Sequence, residues 1–266
     1  MNSQDFIDTI ANVAEVFPKV YDDGLSPSVK TSGQTLNLIP RAVNAALAPL
    51  EKWILNKEYS IEETKILLEE KLKSRNSNNI VPPEPYIAVP ALQSISYCMD
   101  STELRNLYAN LLANSMDSSQ KDRVHPTFVE IIKQLSPFDA NLLHKLSLIR
   151  HDAIPICKFR LEASKSNPEG VDICKHILDP NLGISYENYK KYAISIDNLE
   201  RLNLIAVDYS RHYTKDSLYD SIKNSQLANM FKGKYSTHNT FKRFKVSCGC
   251  LDVTDLGNEF INICLG

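Results

Sequence analysis

The sequence predicts a mainly α protein in two domains, a helical one over residues 1–135 and a second over 136–266 in which strands join the helices. Two patterns predict it. In the first half, apolar residues recur three and four positions apart, the spacing of a helix that buries one face. After residue 200 the apolar residues alternate instead, as in a half-buried strand. A chain of 266 residues exceeds the usual single domain and fits two.

Residues 5–21 and 35–57 read as helices, the second bent or broken near Pro40 or Pro49. Residues 61–73 follow the capping box Ser60-Ile61-Glu62-Glu63 and carry Ile61, Leu68 and Leu72 on one stripe. The segment SRNSNNIVPPEP, near 74–85, is polar and then proline-locked, a linker. Helices are expected near 86–98 and over 101–116. In the second, Asp100 is the expected N-cap, and Leu104, Leu107, Tyr108, Leu111 and Leu112 form a buried face. Pro126 and Pro137 divide two short helices, and Ser136 and Pro137 suit the cap and first position of the later one.

Beyond residue 185, SYENYKKYAISIDNLERLNLIAVDYS is a helix bearing Tyr192, Ile196 and Leu199, followed by a short apolar strand over 204–209. A second strand covers 244–253. There Phe244, Val246 and Cys248 alternate, then Leu251 and Val253 alternate in the opposite phase, which predicts a bulge beside Gly249. A closing helix carries Leu256, Phe260, Ile263 and Cys264 on one stripe.

Two resemblances follow from these residues. The frame NLERLNLI before the first strand and VTDLGNEF after the second resembles the "NLxxLGLI … LTxxGxxF" frame of winged-helix domains, with Asn203 in place of Gly and Val253 in place of Leu. It implies a winged-helix-like α+β C-terminal domain whose enlarged wing is residues 210–245. Separately, VPPEPYIAVPAL, ELRNLYANLLANSMD and VHPTFVEIIKQLSPFDANLL resemble the abortive infection alpha family of bacterial proteins. That resemblance implies a cytoplasmic phage-defence protein acting through protein–protein contacts.

Composition narrows the alternatives. Hydrophobic residues are 43%, enough for a substantial core, and the net charge of −2 gives no global attraction to nucleic acid. Six cysteines lie far apart behind an N-terminus, MNSQDFIDTI, that lacks a basic leader, so reduced thiols in a cytoplasm are expected. The sequence lacks the HExxH, GxSxG, Walker A and GxGxxG patterns, and paired metal knuckles. No cofactor, metal or small-molecule substrate is therefore expected. Catalysis is not the leading reading, and an uncharacterised enzyme ranks third.

Three residue sets are candidates for contact. Asn106, Asn110 and Asn114 recur every four residues opposite the leucines of helix 101–116, either as a partner surface or as hydrogen-bonding groups toward a neighbouring helix or loop end. Residues 210–245 carry eight basic side chains against two acidic ones, interleaved with aromatics. This supports the alternative of a nucleic-acid-binding winged-helix regulator. Its contacts would be Lys190, Lys191, Arg211, Lys242, Arg243 and Lys245. Helix 35–57 bears Leu36, Ile39, Val43, Leu47, Leu50, Trp53 and Ile54 with alanines between, more than one buried stripe requires. Self-association or a protein partner is expected there rather than a membrane surface.

Overall fold

The computed structural model describes residues 58–76, 79–95, 97–98, 100–149, 153–236 and 243–266, with Pro40 and Asn44. Apart from Pro40 and Asn44, the helix expected over 35–57 lies outside these residues, as do Lys242, the expected helix 5–21 and the side chain of Ile61. The chain divides into two compact units. One takes in the residues up to Pro137 together with Glu259–Gly266, and the other is Phe138–Asn258.

The first unit is helical. Helix α1 (Glu58–Lys73) includes Ser60, so the expected capping box lies inside the helix and not at its start. Its Leu68 and Leu72 are buried. Helix α2 (Pro85–Ile95) tolerates Pro90 in its interior and buries Ile87, Val89, Leu92 and Ile95. Helix α3 (Thr102–Ser115) starts one residue later than Asp100 would have it. Ser101 is its N-cap, with extended backbone, and its Oγ accepts the Leu104 N–H at 3.3 Å. All five apolar residues expected on its inner face are buried. α4 (Thr127–Lys133) follows Pro126, and α5 (Pro137–Ser147), which Pro137 begins, lies, apart from that first residue, in the second unit.

The second unit corrects the expected fold class. It is built on a four-stranded antiparallel sheet of order β2-β1-β4-β3, which makes the protein α+β and not mainly or all α. Strand β1 (Ile154–Glu162) pairs with β2 (Gly170–Ile177), helix α6 (Tyr189–Arg201) follows, and β3 (Ile205–Asp208) pairs with β4 (Arg243–Val253). The pairing expected of the two late strands is present, but β4 also pairs along its length with β1. The β3–β4 pair that the winged-helix frame implies is thus one half of a larger sheet. The excursion between these two strands is itself structured. It holds α7 (Asp220–Lys223) and α8 (Gln226–Lys234), whose Ile222, Leu227 and Phe231 are buried.

The expected bulge at Gly249 is absent, since the β1–β4 register runs unbroken through that residue. The apparent phase change arises because β4 is a central strand, where Gly249, Cys250 and Leu251 are buried in succession. The irregularities lie between β1 and β2, around Phe159.

Period two sorts β1 into two faces. Cys157, Phe159 and Leu161 point to the apolar side, where the Phe159 ring packs 5.7 Å from Phe231 of α8 and 5.3 Å from Phe244 of β4. Lys158, Arg160 and Glu162 point to the other. The sheet curls, and α6 lies against both of its edge strands, β2 and β3. Glu200 of α6 accepts the Val207 N–H of β3 at 2.9 Å.

One side chain joins all four strands. Tyr209, just past β3, runs across β4 at Gly249, where a Cβ would stand 2.7 Å from its Cδ1. Its hydroxyl accepts the His176 N–H of β2 at 3.0 Å and donates to the Cys157 carbonyl of β1 at 3.4 Å. Gly249→Ala therefore displaces Tyr209 and costs about 1–3 kcal/mol. Gly233 of α8 has open space around its Cβ position, and there Gly233→Ala gains about 0.5–1 kcal/mol. Urea unfolding of the two variants should show opposite signs.

Candidate functional site

The asparagine row on α3 receives a segment of its own chain. After β4, helix α9 (Asp255–Phe260) passes into a π turn, Ile261–Leu265. The last carbonyls of a helix have no partners within it. Here Asn110 Nδ2 donates to the Cys264 carbonyl at 2.8 Å, and Asn114 Nδ2 to the Ile263 carbonyl at 2.8 Å. Asn114 is 5% exposed, and its Oδ1 accepts from Arg75 at 2.9 Å. The other arm of Arg75 donates to Asp117 at 3.0 Å. Burial pushes the Asp117 carboxyl up, but the Ser119 hydroxyl and N–H together with Arg75 hold it below the usual carboxylate range. Arg123 grips Glu259 with two nitrogens, at 2.7 and 3.1 Å, and Phe260 meets Phe128 edge to face. Asn106, one turn earlier, is half-buried.

In the second unit, the polar face of the sheet gathers charges from three strands. Glu162 is 1% exposed, yet it accepts from Arg243 at 2.8 Å and Lys245 at 2.9 Å, with Arg160 at 3.8 Å. Asp172 of β2 takes Arg160 at 2.8 Å and Lys158 at 3.1 Å, which hold its carboxyl low against the effect of burial. Four cations thus enclose two carboxylates. Of the residues read as nucleic-acid contacts, Arg243 and Lys245 meet here on one buried carboxylate. Arg211 pairs instead with Asp252. Lys190 and Lys191 stand exposed on α6, the latter 4.3 Å above the Phe138 ring.

Beside this face sits His176, 6% exposed, with left-handed backbone at φ 58°. Its Nε2 lies 3.0 Å from Asp197 of α6 and its Nδ1 3.4 Å from the Tyr209 hydroxyl. Burial lowers the imidazole pKa and outweighs the opposing pull of Asp197. The ring is therefore neutral near neutral pH. The array resembles a proton relay in composition, but Tyr209 is already committed to two backbone groups. Among the described residues, no three His, Cys, Asp or Glu side chains are placed to hold a metal ion.

Reading the sequence missed Glu162, Asp172 and Tyr209. A signal for the first was present in KFRLE, where charges alternate with apolar residues, as on a strand between two environments.

The class of protein so defined is a two-unit α+β protein whose first unit is completed by a returning segment. The family model for abortive infection alpha matches residues 56–264, a span that holds both the asparagine row and the sheet, and the chain belongs to that family. No curated protein and no solved structure matches it. No helix among the described residues is long and apolar enough to cross a membrane.

Asn114→Ala leaves the Ile263 carbonyl and part of Arg75 without partners, at a cost of about 1–3 kcal/mol. Hydrogen exchange should rise first at Ile261–Leu265. His176 has a folded pKa below its unfolded value of about 6.5, so the unfolded state takes up the proton first as pH falls. Its contribution is complete above about 6.5 and declines as pH drops toward the depressed folded value. Urea midpoints measured from neutral to mildly acid pH should fall more for wild type than for His176→Asn, a residue that also accepts left-handed backbone.

Proposed function

We propose that the protein acts in the cytoplasm in abortive infection, by contacting another protein. The observation that carries this reading is family membership over residues 56–264. The geometry of the basic residues supports protein over nucleic acid as the partner. Arg243 and Lys245 are spent on Glu162 and Arg211 on Asp252, so recruiting them to phosphate would leave carboxylates unpaired. For Glu162, which is almost fully buried, that exchange costs several kcal/mol. The contact segment we assign is 35–57, whose apolar residues exceed one helical stripe.

The test is plaquing efficiency over a broad phage panel, with cells carrying wild type, Ala46→Glu, Leu107→Asp or no gene. Wild type should lower plaquing. Leu107→Asp, which places a charge in the core, should abolish protection, and Ala46→Glu should abolish it while the purified protein keeps its circular dichroism. Equal plaquing with and without the wild-type gene refutes the role. A mobility shift of duplex or single-stranded probe at low salt, lost on adding salt, would replace the protein partner with nucleic acid.

A further inference from the structure

Cys157 of β1 and Cys248 of β4 stand directly opposite each other in the antiparallel ladder, on the apolar side of the sheet. Their sulfurs are 4.0 Å apart, with the Cys157 thiol donating to Cys248 Sγ. Opposed residues in an antiparallel pair have Cα atoms about 4.5–5.5 Å apart, inside the range of roughly 4.4–6.8 Å that a disulfide spans. Rotation about the side chains can bring the sulfurs to a bond of about 2.05 Å without moving the strands.

The two thiols differ in the way a nucleophile and its resolving partner must. Cys157 is fully buried, whereas Cys248 is partly exposed. The hydrogen bond from Cys157 lowers the Cys248 pKa against the effect of burial, and the Lys223 ammonium of α7 adds to that lowering. The same bond, together with burial, pushes Cys157 up. Low pKa, access and an adjacent second thiol are the features of a redox-sensitive cysteine. The other cysteines differ: Cys174, Cys250 and Cys264 are buried, and the half-buried Cys98 belongs to the first unit.

We propose that Cys157 and Cys248 form a redox-active dithiol that a hydroperoxide converts to an intrachain disulfide across the two central strands. The Cys248 thiolate attacks the distal peroxide oxygen, the O–O bond breaks, and the leaving alkoxide or hydroxide takes a proton. Cys248 becomes a sulfenic acid. The Cys157 sulfur then attacks Cys248 Sγ, the S–O bond breaks, and the departing hydroxide takes the Cys157 proton to leave as water. Two thiols are oxidised and one peroxide is reduced. A dithiol reductant reverses the step by exchange.

The experiment uses the reduced full-length protein and hydrogen peroxide under native conditions, followed by digestion without reductant and mass mapping. The expected product is a cross-linked pair of peptides containing Cys157 and Cys248, lighter by two hydrogens and separated by dithiothreitol. Cys157→Ser should instead accumulate a sulfenic acid at Cys248, captured by dimedone. In Cys248→Ser, Cys157 should remain a thiol. Circular dichroism checks that each variant is folded, and the wild-type map decides the question even if neither is. The proposal is overturned if wild-type Cys157 stays free while Cys248 proceeds to sulfinic acid. It is equally overturned if the native protein links Cys248 to Cys98 or Cys250.

Discussion

The second unit depends on one phenol crossing one glycine. A four-stranded antiparallel sheet has two edges, and each edge leaves backbone groups in need of partners. In this protein α6 lies on both edge strands, and Tyr209 carries a hydrogen bond from the end of β3 over β4 to β1 and β2. That path exists only because Gly249 has no side chain beneath the ring. Burial of His176, its left-handed backbone and its contact with Asp197 all lie at the far end of that path. Substituting at Gly249 would thus be felt at His176, two strands away.

The two faces of the sheet solve different problems. The apolar face is packed by rings, with Phe159 in contact with both Phe231 and Phe244. The other is covered by its own charges. Taking a carboxylate out of water costs several kcal/mol, which attraction repays only when the ion is well paired. Glu162 meets this condition with two cations within 3 Å and a third behind them. The long stems of Arg243 and Lys245 shield it while their heads stay partly in water. A basic tract in the sequence has become a neutralising lid over a buried carboxylate.

How much of this could be read from the sequence varied with the range of the interaction. The buried stripe of α3 could be read because helical periodicity is local and Leu104 to Leu112 repeat it without interruption. The cap was misplaced by one residue because Asp100 and Ser101 are both capping types, and only the extended backbone at Ser101 decides between them. Strands β1 and β2 were not recognised. Charges on alternate positions of KFRLE look like a solvated surface until Arg243 and Lys245, 81 and 83 positions away in the chain, are brought alongside. The four-residue repeat of the asparagines was visible, but its hydrogen-bond acceptors, 154 and 149 positions further on, were not.

Those last separations bear on the order of assembly. The first unit is discontinuous, and the second is in effect inserted between α4 and the returning π turn. As the chain emerges from the ribosome, Asn110 and Asn114 must wait through the synthesis of the whole sheet before their acceptors exist. Closing such a loop gains no contact energy until it is complete, which slows folding and leaves the waiting surface exposed. The inserted unit can fold meanwhile, since its own contacts lie within Phe138–Asn258. The half of the protein made first is therefore the half finished last, and during that interval it is the part most open to a chaperone or a protease.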